Sequence, residues 1–100
     1  MTKHIILWKL DEALNEEEKQ TVKENAKAAL EDLKGKIDGL TDIKVNIAPL
    51  PSSNCDMMLE TEFVSPEALK AYQNHPAHVA AAGTFVRPFI SVRLCFDFTV

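Results

Sequence analysis

Cysteine is scarce in this chain of 100 residues: there are two, Cys55 and Cys95, and no CxxC spacing. That excludes a disulfide-stapled scaffold and leaves two free thiols as the simpler reading. Positive charge is in deficit as well. The formal net charge is −4, so there is no basic patch to follow a phosphate backbone, and nucleic acid is not an expected partner. No apolar run approaches the ~20 residues that span a bilayer, so no membrane partner is expected either. The start, Met1-Thr2-Lys3-His4, leads into an apolar run too short for a secretory signal, and the expected location is cytoplasmic. Repeats, low-complexity tracts and linkers are missing, which points to one domain over 1–100. Apolar residues at 46% and charged residues at 26% are ordinary for a chain that builds a core.

What the chain does have is a dense segment, Ala71-Tyr72-Gln73-Asn74-His75-Pro76-Ala77-His78. It holds the only tyrosine and two of the three histidines. Pro76 lacks an N–H and disfavours helical geometry at His75, so a helix ends near Asn74 and a new turn starts at Pro76. The kink sets two imidazoles and a phenol in relation to one another, and any chemical site is expected here.

The elements around it follow from pattern. Lys3 to Leu10 reads as a central strand with His4, Ile6 and Trp8 on one face and Ile5, Leu7 and Lys9 on the other. Asn15 to Glu18 is a capping box opening a helix whose apolar face is Val22, Ala26, Ala29, Leu30, Leu33 and Ile37, with Gly35 as terminator. Ile43, Val45 and Ile47 alternate as a second strand. Asp56 to Val64 is a third, with Met57, Leu59, Thr61 and Phe63 sharing a face. Ser65-Pro66-Glu67 opens a second helix, and a short helical piece from Pro76 through Ala82 stops at Gly83. In the last strand Ile90, Val92, Leu94, Phe96 and Phe98 alternate with Ser91, Arg93, Cys95, Asp97 and Thr99.

This order is β-α-β-β-α-β, an α+β ferredoxin-like unit with a four-stranded antiparallel sheet in the order fourth, first, third, second. Two strand spacings, about 9–10 Å, then part Cys55 from Cys95, too far for a disulfide. The face with Ile6, Trp8, Leu59, Phe63, Ile90, Leu94 and Phe96 is expected against the helices. Ile5, Leu7, Met58 and Cys95 are left on an open face with Lys9, Glu60, Glu62 and Arg93. A bare apolar patch of that kind calls for a cover, and a second copy of the chain, packed sheet to sheet, is the expected partner.

Lys3-His4, the Tyr72…His75-Pro76-Ala77-His78 segment, Arg87-Pro88 and Phe96-Asp97-Phe98 together resemble the stress-responsive A/B barrel domain (Dabb) family across nearly the whole chain. The resemblance implies a dimeric α+β barrel. One plant member, olivetolic acid cyclase, is a cofactor-free polyketide cyclase, and carrying its residues over implies His78 as general base and Tyr72 as hydrogen-bond partner for a substrate carbonyl. His4 matches a further pocket histidine. The implied pocket wall is His4, Ile6, Trp8, Leu59 and Ile90, although Ile90 replaces a bulky aromatic of the cyclase, so its polyketide does not transfer.

An imidazole titrating near neutrality can take a proton from a carbon alpha to a carbonyl while a phenol holds the enolate oxygen. Against this stands a structural role: His75 capping a helix end, His78 holding the kink, His4 satisfied at the head of its strand. Three histidines with Asp56 or Asp97 match no zinc spacing, magnesium would need converging oxygens, and no metal or cofactor is expected. Three readings remain open. They are an enzyme that abstracts a proton from a carbonyl compound or polyketide-like acid (with a cofactor-free monooxygenase as a fold-level variant), a non-catalytic binder of a small apolar ligand in a stress response, and a structural dimer. A pocket of a few hundred cubic ångströms would favour the first two.

Overall fold

The computed structural model describes residues 1–100. In chain order it has β1 (Thr2–Leu10), α1 (Glu16–Glu31), β2 (Leu40–Asn46), β3 (Met57–Phe63), α2 (Pro66–Asn74), α3 (Pro76–Phe85), a 3-10 turn (Arg87–Phe89) and β4 (Ile90–Thr99). All strand pairs are antiparallel and the sheet order is β2-β3-β1-β4. This is the ferredoxin-like arrangement expected from the pattern, with α2 and α3 meeting at the kink. No helix is long and apolar enough to cross a membrane.

Local chemistry explains the boundaries. Asn15 Oδ1 accepts the Glu18 N–H at 2.8 Å and Glu18 Oε1 accepts the Asn15 N–H at 2.9 Å, a reciprocal cap that starts α1. Ser65 caps α2 through the Ala68 N–H. His75 is both the last cap of α2 and the first cap of α3: its N–H donates to the Tyr72 carbonyl, and its Nδ1 accepts the Ala77 N–H at 3.1 Å. α1 is clamped on the free edge of β2. Glu31 accepts the Val45 N–H at 2.9 Å, and Lys27 donates to the Val45 carbonyl at 2.7 Å and to Glu31 at 2.8 Å. Those contacts satisfy edge groups that would otherwise invite another strand. Burial alone would raise the Glu31 carboxyl; the Lys27 ammonium and the Val45 N–H outweigh it and hold the group below its ordinary value.

Helix limits differ from expectation at two places. α1 ends at Glu31, and Gly35 takes its positive φ of 82° in the turns that follow. Gly83 does not stop α3, which runs on to Phe85. A glycine weakens a helix without breaking it; the break comes at Pro88, which cannot donate the next helical bond.

The core lies between the helices and one face of the sheet, where Ile6, Trp8, Leu10, Leu59, Phe63 and Tyr72 are buried against α1 residues Val22, Ala26 and Leu30. β4 departs from the sequence reading. Leu94 and Phe96, expected against the helices, are 60% and 68% exposed. They stand opposite Leu7 and Ile5, whereas Arg93, Cys95 and Asp97 stand opposite Trp8, Ile6 and His4. Directly paired residues share a face. Arg93 and Cys95 are therefore on the helix side, and Leu94 and Phe96 join Ile5, Leu7 and Met58 on the bare side. The cause is a register shift between Lys9 and Leu10, which pair with Val92 and Ile90. Ser91 is the extra residue, and its hydroxyl lies 3.3 Å from the Lys9 and Leu10 carbonyls. One inserted residue reverses the alternation beyond it. Ile90 keeps its expected side and everything after Ser91 changes sides.

Candidate functional site

The helix-side face of β1 presents His4, Ile6 and Trp8 in alternation, and β3 adds Leu59 beside Ile6. Above them the α2–α3 kink lowers His78 toward the sheet. With Ile90 from the start of β4, these six side chains wall one cavity of about 70 Å³. The sequence reading had named all six. Gln73, Arg87 and Arg93 complete the polar part of the wall, with Ala82 and Val86. Arg93 had been placed on the opposite face, and only the bulge at Ser91 brings it here. Arg87 was visible in the Arg87-Pro88 pair but carried no role.

Tyr72 is placed differently. It is fully buried and stands behind the wall, its ring 4.1 Å from that of His78, 5.0 Å from Phe63 and 6.4 Å from His4. Its hydroxyl has no hydrogen-bond partner, and neither has the buried Nδ1 of His78; no other buried side-chain nitrogen or oxygen is in that condition. Buried polar groups are rarely left unpaired, because each costs roughly 1–3 kcal/mol. Two such atoms on adjoining, mutually tilted rings beside one cavity are the marked feature of this protein.

Their protonation is set by the same surroundings. Burial pushes the Tyr72 phenol well above its ordinary value, so it stays a donor. Burial also lowers His78, and the nearby Arg87, His4 and Arg93 act in the same direction, against an opposing Gln73 carbonyl. His78 is therefore a neutral imidazole at pH 7, the form that accepts a proton. Arg87 and Arg93 form no ion pair with any carboxylate, so the cavity wall carries uncompensated positive charge, suited to an anion or to a developing enolate.

The other candidates sort plainly. His4 is 2% exposed and its Nδ1 is hydrogen-bonded to the Asp97 carboxylate. His75 caps the helices and does not reach the cavity. Asp56 accepts the Leu10 N–H at 2.7 Å, a structural bond. Both cysteines are free. Burial, with the neighbouring Asp97 carboxylate, pushes the Cys95 thiol up, which leaves it a poor nucleophile.

The cavity is much smaller than the few hundred cubic ångströms a sizeable ligand needs; it has room for about two waters. Larger hollows of about 520 and 580 Å³ run along the α1–α3 side, but no histidine lines them.

A family model described as the stress responsive A/B barrel domain matches residues 2–100. Among solved structures, the chain is similar to a dimeric protein of unknown function with a ferredoxin-like fold from Bacteroides fragilis. That match has 34% identity and a TM-score of 0.92, and covers 99% of this chain and 95% of the other. It is also similar to a Dabb family protein from Mesorhizobium loti, with 23% identity, a TM-score of 0.74 and 99% and 95% coverage. A hydroxynitrile lyase from Passiflora edulis shares the fold at 12% identity, a TM-score of 0.73 and 99% and 92% coverage. No protein of curated function matches the sequence.

Proposed function

The chain belongs to the stress-responsive A/B barrel domain family, and from that premise we propose a homodimer that carries out cofactor-free acid–base chemistry on a small carbonyl compound. His78 is the base. It takes a proton from the carbon alpha to the carbonyl, and the negative charge that moves onto the oxygen is met by the guanidiniums of Arg87 and Arg93. Tyr72, protonated and unpartnered, backs the imidazole from behind the wall. The observation that carries this reading is the pair of unsatisfied buried atoms, Tyr72 Oη and His78 Nδ1, beside a positively charged cavity wall. The cavity volume favours a substrate of a few heavy atoms, with His4, Ile6, Trp8, Leu59 and Ile90 as its surroundings. A larger ligand would require the wall to part.

The test is deuterium exchange at the α-carbon of short methyl ketones and 3-oxo acids, followed by proton NMR. The native chain is expected to accelerate exchange, and His78→Ala to lose about 10²–10⁴-fold of it. Equal exchange by a folded His78→Ala variant would remove the base from the scheme.

The dimer is proposed through the bare face, where Ile5, Leu7, Met58, Leu94 and Phe96 need a cover. Lys9, Glu60 and Glu62 beside them would set the register. The similar protein from Bacteroides fragilis is described as dimeric, in line with this. Sedimentation equilibrium at micromolar concentration is expected to give twice the chain mass of 11.2 kDa, and a monomer there would overturn it. A dimer without catalysis is the second reading. It is favoured by the small volume of the cavity, with His78 then serving the kink alone.

A further inference from the structure

On the helix side of the sheet, at the strand that the helices leave uncovered, three side chains of metal-binding type converge outside the proposed acid–base pair. His4 and Asp97 are direct cross-strand partners, and Cys95 stands one same-face step along β4, opposite Ile6. Their ligand atoms, one nitrogen, one sulfur and one oxygen, all lie within 4.8 Å of one another. Cys95 Sγ is 3.7 Å from His4 Nδ1 and 3.4 Å from Asp97 Oδ1. A tetrahedral zinc with sulfur at ~2.3 Å and nitrogen or oxygen at ~2.0–2.1 Å sets such ligands about 3.3–3.6 Å apart. The sulfur already stands near that spacing from both partners; His4 Nδ1 and Asp97, now in hydrogen-bond contact, part to admit the ion.

We propose that His4, Cys95 and Asp97 bind a divalent transition-metal ion of the zinc and cobalt type. A hydrogen-bonded His–Asp pair accounts for two of the three residues, and the third, Cys95, sets its thiol within hydrogen-bond reach of both. The mixed S, N, O donor set excludes magnesium and calcium, which take oxygens. One thiolate and one carboxylate neutralise a dication, and the imidazole binds through Nδ1 in its Nε2–H tautomer. On binding, the Cys95 S–H proton leaves to solvent and the sulfur lone pair forms the metal bond; no oxidant or reductant is needed. Three protein ligands leave one position open to water or a small ligand. His4 is also a wall of the His78 cavity, so the ion would sit next to that chamber. Cys95 points away from the bare face that carries Leu94 and Phe96, which keeps the site clear of the proposed sheet-to-sheet contact. The site does not depend on His78 acting as a base.

No sequence spacing announces this group, because its members lie at opposite ends of the chain and the β1–β4 register alone joins them.

The test uses the full chain, stripped with a chelator under reducing, oxygen-free conditions and titrated with cobalt(II). A thiolate-to-cobalt charge-transfer band should grow and saturate at one ion per chain, and zinc should abolish it. Cys95→Ser should lose the band, and Asp97→Asn should weaken cobalt binding by at least about tenfold. Both residues are exposed, so both variants are expected to fold, which circular dichroism checks. Cys55→Ser should leave the spectrum unchanged. Absence of a saturable band, or a band that survives Cys95→Ser, would overturn the site.

Discussion

Each face of the sheet carries residues that a monomer would place on the other. The face covered by helices holds, within its apolar core, the buried polar groups His4, Thr2 and Thr61, with the unpaired Tyr72 hydroxyl and His78 Nδ1 above them. The bare face presents Leu94 at 60% and Phe96 at 68% exposure, with Phe96 and Phe98 rings 5.7 Å apart. Each face departs from what a monomer would choose for stability. The covered face keeps polar atoms where they cost free energy, and the bare face keeps aromatics where burial would gain it. The proposed site would account for the first departure, and the proposed second copy of the chain for the second.

The sharpest way to separate them is to remove one phenylalanine from each. Phe63 on the covered face is fully buried, and Phe63→Ala should cost about 3–5 kcal/mol through lost contacts and the cavity left behind. Phe96→Ala should leave the fold of the protomer within about 0.5 kcal/mol; its loss should appear as weaker dimerisation and a midpoint that depends on protein concentration. Denaturant titrations at two protein concentrations distinguish these outcomes. Equal, concentration-independent losses would mean that the two faces do not differ in role.

That contrast also marks what could be read from the chain. On β1 a strict alternation settles which residues face the helices, and His4, Ile6 and Trp8 are found where the pattern puts them. On β4 an equally clean alternation misleads. Leu94 and Phe96 look like core because apolar residues are usually covered, yet this strand's apolar set belongs to the bare face. Ser91, a small polar residue among strand formers, is the one local sign of the bulge that causes it. A bulge depends on the partner strand's register, which no window of sequence contains. For the same reason the His78 cavity wall was legible in its β1, β3 and kink parts, while Arg93 and the Asp97 partner of His4 were not.

A gentler cut on the covered face removes one oxygen. Tyr72→Phe keeps the ring packed against Phe63 and His78 and deletes an unpartnered buried hydroxyl. Since desolvating that group is a cost with no return in bonding, the variant should be more stable by about 1 kcal/mol, a rise of roughly 4–8 °C in midpoint. α-Proton exchange should fall about tenfold or more. A gain in stability with a loss in activity is the mark of a strained functional group. A loss of stability would mean that the hydroxyl is bonded in solution.

The smallest expected effect is one of pH, and again it belongs to the covered face. Burial holds His78 below its ordinary value of 6.5, aided by Arg87, His4 and Arg93 and opposed by the Gln73 carbonyl. Unfolding returns it to water, where it binds a proton more readily, so between the folded and unfolded values the unfolded chain carries more protons. Stability then rises with pH in that window. The His78 contribution is fully present above about 6.5 and is lost as pH falls through the depressed value of the folded state. Glu31, also held below its ordinary value, of 4.5, has the same sign, but its stabilisation is lost only at more acid pH. The two groups therefore separate along the pH axis. Denaturant titrations from pH 8 to pH 5 should show a decline for the native chain that His78→Gln flattens, with the steeper acid limb below it unchanged. Should the decline persist undiminished in His78→Gln, the imidazole is not held neutral by its burial. The covered face would then lose the proton acceptor on which its proposed chemistry depends.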